Sequence, residues 1–181
     1  MAKQNAFSIG KVFTRYVILL FIIVLSSYDF FYKFLLTLTI YPAAFILKLF
    51  YNLNVIGNIM VLGAGSNVYH IEIIAACVAI SAYCLLLILN LTTQMTRKQR
   101  VYSICFSVIS LLIVNIIRIA VFSILYTKSL WWFNTIHLIS WYSLNIIIVV
   151  LIWFASVYIF KINNIPVYDD FKNIRRSMKR K

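Results

Sequence analysis

Long apolar runs alternate with short polar stretches along this chain, and four of the runs are long enough to cross a membrane as helices. They cover residues 16–33, 73–92, 101–126 and 136–160. A transmembrane helix needs about 20 predominantly apolar residues, with a range of roughly 17–25. The pattern therefore predicts an all-α polytopic membrane protein with about four transmembrane helices.

Residues 34–53 are also apolar, but Pro42 interrupts them. Beyond the proline, Lys48 and Asn52 share one helical face, and the opposite face carries Phe45, Ile46, Leu49, Phe50 and Leu53. An apolar stripe opposite a polar face is typical of a helix that lies in the membrane interface. We therefore expect an interfacial helix here and no further crossing.

Residues 54–73 have a different character. Two short runs, VIGNIMVL and NVYHIEI, flank the turn GAGS at residues 63–66. Such runs on either side of a glycine-rich turn predict a small β-hairpin, which we place on the outer face. Strand alternation puts His70 and Glu72 on one side of this hairpin and the odd-numbered residues 69–73 on the other.

Composition supports a membrane class. The 181 residues are 64% hydrophobic and 12% charged, with a mean hydropathy of +0.95. These values exclude a soluble or disordered chain and predict a multi-pass protein of the cell membrane. We expect a single transmembrane domain over residues 1–163, followed by a basic cytoplasmic tail over residues 164–181.

The net charge of +13 would suit nucleic-acid binding, but the positions of the charges argue against that partner. Most basic residues lie in three segments outside the predicted spans: Lys3, Lys11, Arg15, Arg97, Lys98, Arg100, Lys161, Lys172, Arg175, Arg176, Lys179, Arg180 and Lys181. One topology places all of them in the cytoplasm, as the positive-inside rule requires. Both termini are then cytoplasmic, and the bilayer, including its anionic lipids, is the expected partner of the charges.

Three cysteines occur, and each lies inside an apolar run. Cys77 and Cys84 are seven residues apart, about 10 Å along a helix, which is too far for a disulfide. Together with Cys105 they fit no zinc or redox spacing, and His70 and His137 add no recognised metal motif. We expect free thiols, no metal and no cofactor.

Arg118 is the most informative polar residue. An arginine at the centre of a membrane costs about 2.5–3.5 kcal/mol on insertion scales, so it normally faces protein or a water-filled cavity. Asn115 precedes it by three residues and shares its helical face. A polar pair directed into a helix bundle indicates a functional site.

Two further reactive groups lie at a similar depth. The helical rise of about 1.5 Å per residue places Cys77, Arg118 and His137 in the outer half of the bilayer on three different helices. Such a set could supply a nucleophile, an oxyanion stabiliser and an acid/base. Ser81 and Asn115 could orient these groups. Glu72 could pair with Arg118, and a purely structural polar cluster remains the alternative.

The same residues carry a resemblance. The runs IEIIAACVAISAYCLLL, NIIRIAVFSIL and FNTIHLISWY resemble the exosortase/archaeosortase family of membrane-embedded cysteine transpeptidases over about residues 40–160. The shared pattern is a cysteine near the outer end of one span, Asn-x-x-Arg in the next and a histidine at the start of a third. Val78, Ala79 and Ser140 depart from it, because many members have a small polar residue and glycine after the cysteine, and glycine before the tryptophan.

The resemblance implies that Cys77 is the nucleophile, Arg118 stabilises the transition state and His137 is the acid/base, with Asn115 as the family asparagine. The implied substrates are exported proteins that end in a short motif, a transmembrane helix and a basic segment. The enzyme would cut them on the extracytoplasmic side and pass them to a lipid or another surface acceptor. The alternative is a non-enzymatic transporter or assembly subunit in which Arg118 binds an anionic ligand or a partner helix.

Overall fold

The computed structural model describes residue 17 and the ranges 29–65, 67–93, 95–128 and 131–162. Most of the predicted first span and all of the predicted tail, residues 164–181, lie outside the described residues. The elements in chain order are α1 (Asp29–Lys48), β1 (Asn52–Ile56), β2 (Ile59–Ala64), β3 (Asn67–Glu72), α2 (Ala75–Val78), α3 (Ile80–Thr92), α4 (Arg97–Thr127), α5 (Phe133–Ile139), a π-helical segment (Ser140–Leu144) and α6 (Asn145–Ile159).

Three helical stretches in the described part of the chain are long and apolar enough to cross a membrane. They are Phe31–Lys48, Ala75–Thr92 and Arg97–Thr127. They indicate a membrane protein that is mostly helical. Helix α6 has 15 residues, which is short for a crossing. The fourth span predicted over residues 136–160 therefore stays a prediction, although the chain is helical from α5 through α6.

Helix α1 differs from both predictions made for its residues. It runs without a break from Asp29 through Pro42 to Lys48, so the boundary expected at residue 33 is wrong. The bounds expected for an interfacial helix, residues 34–53, are wrong too, because the chain turns after Lys48 and enters β1. Its buried side has a helical period and includes Leu36, Ile40, Ala43, Ala44 and Leu47. In the stripe expected to face the membrane, Phe45 and Leu49 are each 70% exposed, so they are free to contact lipid.

Residues 52–72 form a three-stranded antiparallel sheet in the order β1-β2-β3, which corrects the two-stranded hairpin. The run VIGNIMVL is not one strand, because the chain reverses at Gly57 and Asn58. Gly57 has φ +63°, a left-handed conformation that glycine adopts without steric cost. In β3 the predicted alternation is confirmed, since His70 and Glu72 are exposed and Tyr69 and Ile71 are partly buried.

A polar cluster joins three helices inside the bundle. The amide of Asn90 on α3 donates to Ser107 Oγ at 3.3 Å and accepts from Ser103 Oγ. Ser103 is also hydrogen-bonded to Ser156 on α6. Side-chain hydrogen bonds between helices stabilise bundles in lipid by about 0.6 kcal/mol each on average. This cluster fixes α3, α4 and α6 to one another.

The bundle has two distinct ends. At one of them, the loop end, a capping box of Thr96 and Gln99 starts α4, and Gln99 Nε2 donates to the carbonyl of Phe160 at 3.0 Å. At the other, the sheet end, the Tyr69 ring lies 5.9 Å from the ring of Tyr126 in the last turn of α4. The candidate catalytic residues belong to the sheet end.

Candidate active site

A cavity of about 270 Å³ opens at the sheet end between β3, α2, α4 and α5. The polar side chains along its wall are His70, Glu72, Cys77, Arg118, Ser123, His137 and Ser140. The other side chains that line the cavity are apolar or aromatic. The three residues for which sequence analysis suggests catalytic roles, from three separate helices, thus share one cavity.

Cys77 is held in a short helix that the sequence analysis treated as part of a continuous span. The chain leaves β3 at Glu72, forms the single turn α2, and breaks at Ala79 before α3 begins. Ala79 has φ +60° and ψ +38°, the left-handed conformation, which costs a residue with a Cβ roughly 1–2 kcal/mol. Strain of this kind concentrates at functional sites. The break sets the half-buried Cys77 on the cavity wall.

The break at Ala79 also changes the hydrogen bonding of the Cys77 main chain. In the described part of the chain, no N–H group of a helix donates a hydrogen bond to the carbonyl oxygen of Cys77. Arg118 Nη2 donates to that oxygen at 2.9 Å. The interruption of the helix therefore creates the acceptor that positions Arg118.

Arg118 bridges two elements from its place on α4. Besides Cys77, its Nη1 donates to Oδ1 of Asn145, the first residue of α6. A guanidinium carries five N–H donors in a planar fork. These two bonds fix its orientation and leave further donors for a group that enters the cavity.

The His137 ring is positioned by two aromatic neighbours. It stacks on Phe133 of the same helix, with centroids 5.6 Å apart and an interplanar angle of 9°. The Phe122 ring of α4 meets it edge to face at 5.4 Å. Within the described residues, neither this imidazole nor the Cys77 thiol forms a side-chain hydrogen bond. The two groups share a cavity, and no hydrogen bond joins them among the described residues.

The predicted supporting residues lie in three different settings. Ser81 is exposed on α3, beyond the break at Ala79, and does not line the cavity. Asn115 is buried at 2% exposure one turn before Arg118, and neither of its side-chain polar atoms has a partner among the described residues. Glu72 lines the cavity but accepts from Asn58 Nδ2 at 3.1 Å, and no bond to Arg118 forms within the described part.

Sequence reasoning missed three polar residues of the site, Asn145, Ser140 and Ser123. Asn145 is an isolated amide in the apolar run SLNIIIVV, a signal that could have identified it, whereas Asn115 was noticed through its spacing from Arg118. Ser140 lines the cavity with a buried hydroxyl that has no partner among the described residues, and it opens the π-helical segment. Single π-helical turns within α-helices are frequent at functional sites.

Cys84 and Cys105 lie elsewhere. Cys84 is buried in α3 and Cys105 is exposed on α4, and neither borders the cavity. They therefore serve as internal comparisons for Cys77.

No protein-family model matches this chain, and no significantly similar curated protein or solved structure was found. The function of the site must therefore be argued from its own residues.

Proposed function

We propose that this chain is a membrane-embedded cysteine transpeptidase that resembles the exosortase/archaeosortase enzymes. Its substrates are exported proteins that carry a C-terminal sorting signal, and its acceptor is a lipid or another surface group. The observation that carries the proposal is the shared cavity of Cys77, Arg118 and His137. This arrangement brings a nucleophile, a permanent cation and a base to one space enclosed by apolar and aromatic side chains.

The chemistry follows from the three groups. His137 takes the thiol proton, and the sulfur of Cys77 attacks the scissile carbonyl carbon, forming a C–S bond and a negatively charged oxygen. Arg118 donates hydrogen bonds to that oxygen. As the carbonyl re-forms and the C–N bond breaks, His137 returns the proton to the leaving amine, and a thioester remains on Cys77.

Release of the thioester repeats these steps with the acceptor. An acceptor hydroxyl or amine gives its proton to His137 and attacks the thioester carbon, and the thiolate of Cys77 leaves. Water in place of the acceptor gives hydrolysis by the same route. Both outcomes need the same three side chains, so they are distinguished by the product and not by the site.

The contact of Arg118 with the Cys77 main chain supports the oxyanion role. A guanidinium bound to the backbone of the nucleophile stays close to the carbon that the nucleophile attacks. Preorganised donors in a site of low dielectric stabilise developing charge more than flexible ones do. Removing one such donor from an oxyanion site lowers the catalytic rate by about 10²–10³.

The distribution of charges supports an orientation. Arg97, Lys98 and Arg100 open α4 at the loop end, and Lys161 follows α6 at the same end, where Gln99 contacts Phe160. The positive-inside rule assigns this end to the cytoplasm. The cavity, at the opposite end, then faces the extracytoplasmic side, where exported substrates arrive.

The test is processing of a substrate in cells. The substrate is a secreted protein from the same genome that ends in an apolar span and a basic segment. Cys77→Ala, Arg118→Ala and His137→Ala should each abolish the mass shift of this substrate while the variants still insert in the membrane. Cys84→Ala and Cys105→Ala are the matched controls and should process normally. Full processing by Cys77→Ala would show the proposal to be wrong.

A second function is favoured by one observation. The Cys77 thiol and the His137 imidazole form no side-chain hydrogen bond within the described residues, so the site could instead bind an anion or a partner helix through Arg118. In that case Cys77→Ala keeps full activity, and a thiol reagent traps no acyl-enzyme. Arg118→Ala alone then removes ligand uptake or assembly.

A further inference from the structure

Strand β3 has an open edge beside the cavity. Within the described residues it pairs with β2 alone, in the register Met60 with Ile71 and Leu62 with Tyr69. Ile73 N donates to Asn58 O at 2.8 Å, which makes residues 58 and 73 a hydrogen-bonded pair of this ladder. Since such pairs alternate in an antiparallel ladder, residues 67, 69, 71 and 73 direct their main-chain groups to β2.

The residues in between therefore direct their main-chain groups away from β2. Val68, His70 and Glu72 each present an N–H and a C=O to the open edge, and none of these groups has a hydrogen-bond partner in the described part of the chain. An unpaired sheet edge is a template for another extended chain.

The open edge leads directly to the candidate nucleophile. His70, Ile71 and Glu72 line the same cavity as Cys77, which follows Glu72 by only five residues. A chain laid along the edge of β3 thus continues into the cavity.

We propose that the substrate segment around the scissile bond binds in an extended conformation as a fourth strand on the open edge of β3. Main-chain hydrogen bonds to Val68, His70 and Glu72 hold this segment and deliver the scissile carbonyl to Cys77. The inference rests on the proposed transpeptidase function and adds the mode of substrate recognition to it. Strand addition to a sheet edge is a common way of binding extended peptides.

The side chains of β3 set the expected preference. On one face of the added strand the exposed neighbours are His70 and Glu72. The carboxylate of Glu72 belongs to the cavity wall. On the other face the neighbour is the partly buried Ile71. A bound segment should therefore alternate, with basic or hydrogen-bond-donating side chains on the Glu72 side and small apolar ones on the Ile71 side.

The first test uses a substrate identified by its Cys77-dependent processing. A synthetic peptide covering its cleavage site is N-methylated at one backbone amide at a time over six consecutive residues. Binding is measured to the full-length Cys77→Ala variant in detergent, so that chemistry does not intervene. Methylation at every second amide should weaken binding about tenfold. Methylation at the intervening amides, which are the matched controls, should weaken binding by less than about twofold. Uniform losses, or none, would overturn the strand pairing.

The second test changes the protein. Val68→Pro and His70→Pro remove one outward N–H each and leave the bonds to β2 in place, a position that an edge strand tolerates. Each should weaken binding of the unmethylated peptide about tenfold while thermal unfolding changes little. Unchanged binding by folded proline variants would contradict the inference, and if they fail to fold the peptide series decides.

The two proposals can fail separately. Cys77-dependent processing combined with a methylation series that shows no alternation leaves the transpeptidase in place and rejects strand addition. Processing that does not depend on Cys77 rejects the proposed function, and the inference with it.

Discussion

The guanidinium of Arg118 is hydrogen-bonded to the main-chain carbonyl of Cys77, with Nη2 2.9 Å from the oxygen. This bond connects the charged residue of α4 to the residue that carries the candidate nucleophile. It exists because the helix breaks at Ala79 and leaves the carbonyl available. A positive charge at this position is therefore not sufficient for the bonds of Arg118 to Cys77 and Asn145, since they also require the shape of the guanidinium.

Arg118→Lys should abolish or strongly reduce processing. A lysine keeps the charge but presents a single ammonium, which cannot reproduce the planar fork that reaches both Cys77 and Asn145. Processing should fall at least about 10²-fold, the loss expected for one oxyanion donor. The assay is the mass shift of the substrate in cells. Lys128→Ala, an exposed change near the same end, is the control, and full activity of Arg118→Lys would rule out the bridging role.

Asn145→Leu should make the orientation of the Arg118 guanidinium less fixed. The substitution removes the Oδ1 acceptor of Nη1 and leaves a charged donor short of a partner, at a cost of about 1–3 kcal/mol. Thermal stability in detergent and processing should both decrease. Asn145→Asp retains an acceptor and should retain more activity than Asn145→Leu. Ser143→Ala, an exposed neighbour, should change neither, and equal activity of the two Asn145 variants would contradict the prediction.

Ala79→Gly should stabilise the protein by up to about 1 kcal/mol, because glycine adopts the left-handed conformation without the steric cost of a Cβ. Ala79→Val should be destabilising, since a β-branched residue resists this conformation and the site is buried. Thermal unfolding in detergent measures both. Ala155→Gly in the middle of α6 is the control with the opposite sign, destabilising by about 1 kcal/mol. A loss of stability in Ala79→Gly would show that the conformation is not strained.

Cys77 should react with a small, charged methanethiosulfonate reagent added to intact cells. It lines an open cavity, whereas Cys84 is buried and Cys105 is exposed on the face of α4 that carries the apolar side chain of Ile109. Labelling should block processing in the wild-type protein and be lost in Cys77→Ser. Labelling of Cys77 only after the cells are permeabilised would reverse the proposed orientation.

The sequence predicted the faces of β3 and the residues of the cavity better than it predicted helix boundaries. The alternation of β3 is legible from residue 69 onward, where His70 and Glu72 alternate with Tyr69 and Ile71. The break at Ala79 cannot be predicted from the sequence, because Val78, Ala79 and Ile80 include neither glycine nor proline. Helix α1 is apolar on several sides, so Phe45 and Ile40 look equivalent although one is exposed and the other buried.

The depth argument brought Cys77, Arg118 and His137 to one level, but it could not show which neighbours hold them. The role of Asn145 depends on how α6 packs against α4, a long-range contact that no local pattern records. Ser81 is a residue that local spacing predicted wrongly for the site. In a continuous helix it would lie one turn from Cys77. The left-handed conformation of Ala79 interrupts the helix between them, and Ser81 does not line the cavity.

The π-helical segment Ser140–Leu144 has a consequence for the histidine that precedes it. A π turn holds one residue more than an α turn over the same length. Deleting that extra residue would restore α-helical hydrogen bonds and rotate α5 by about 100° relative to α6. The imidazole of His137 would then no longer line the cavity, so the orientation of this candidate acid/base depends on the one extra residue of the π turn.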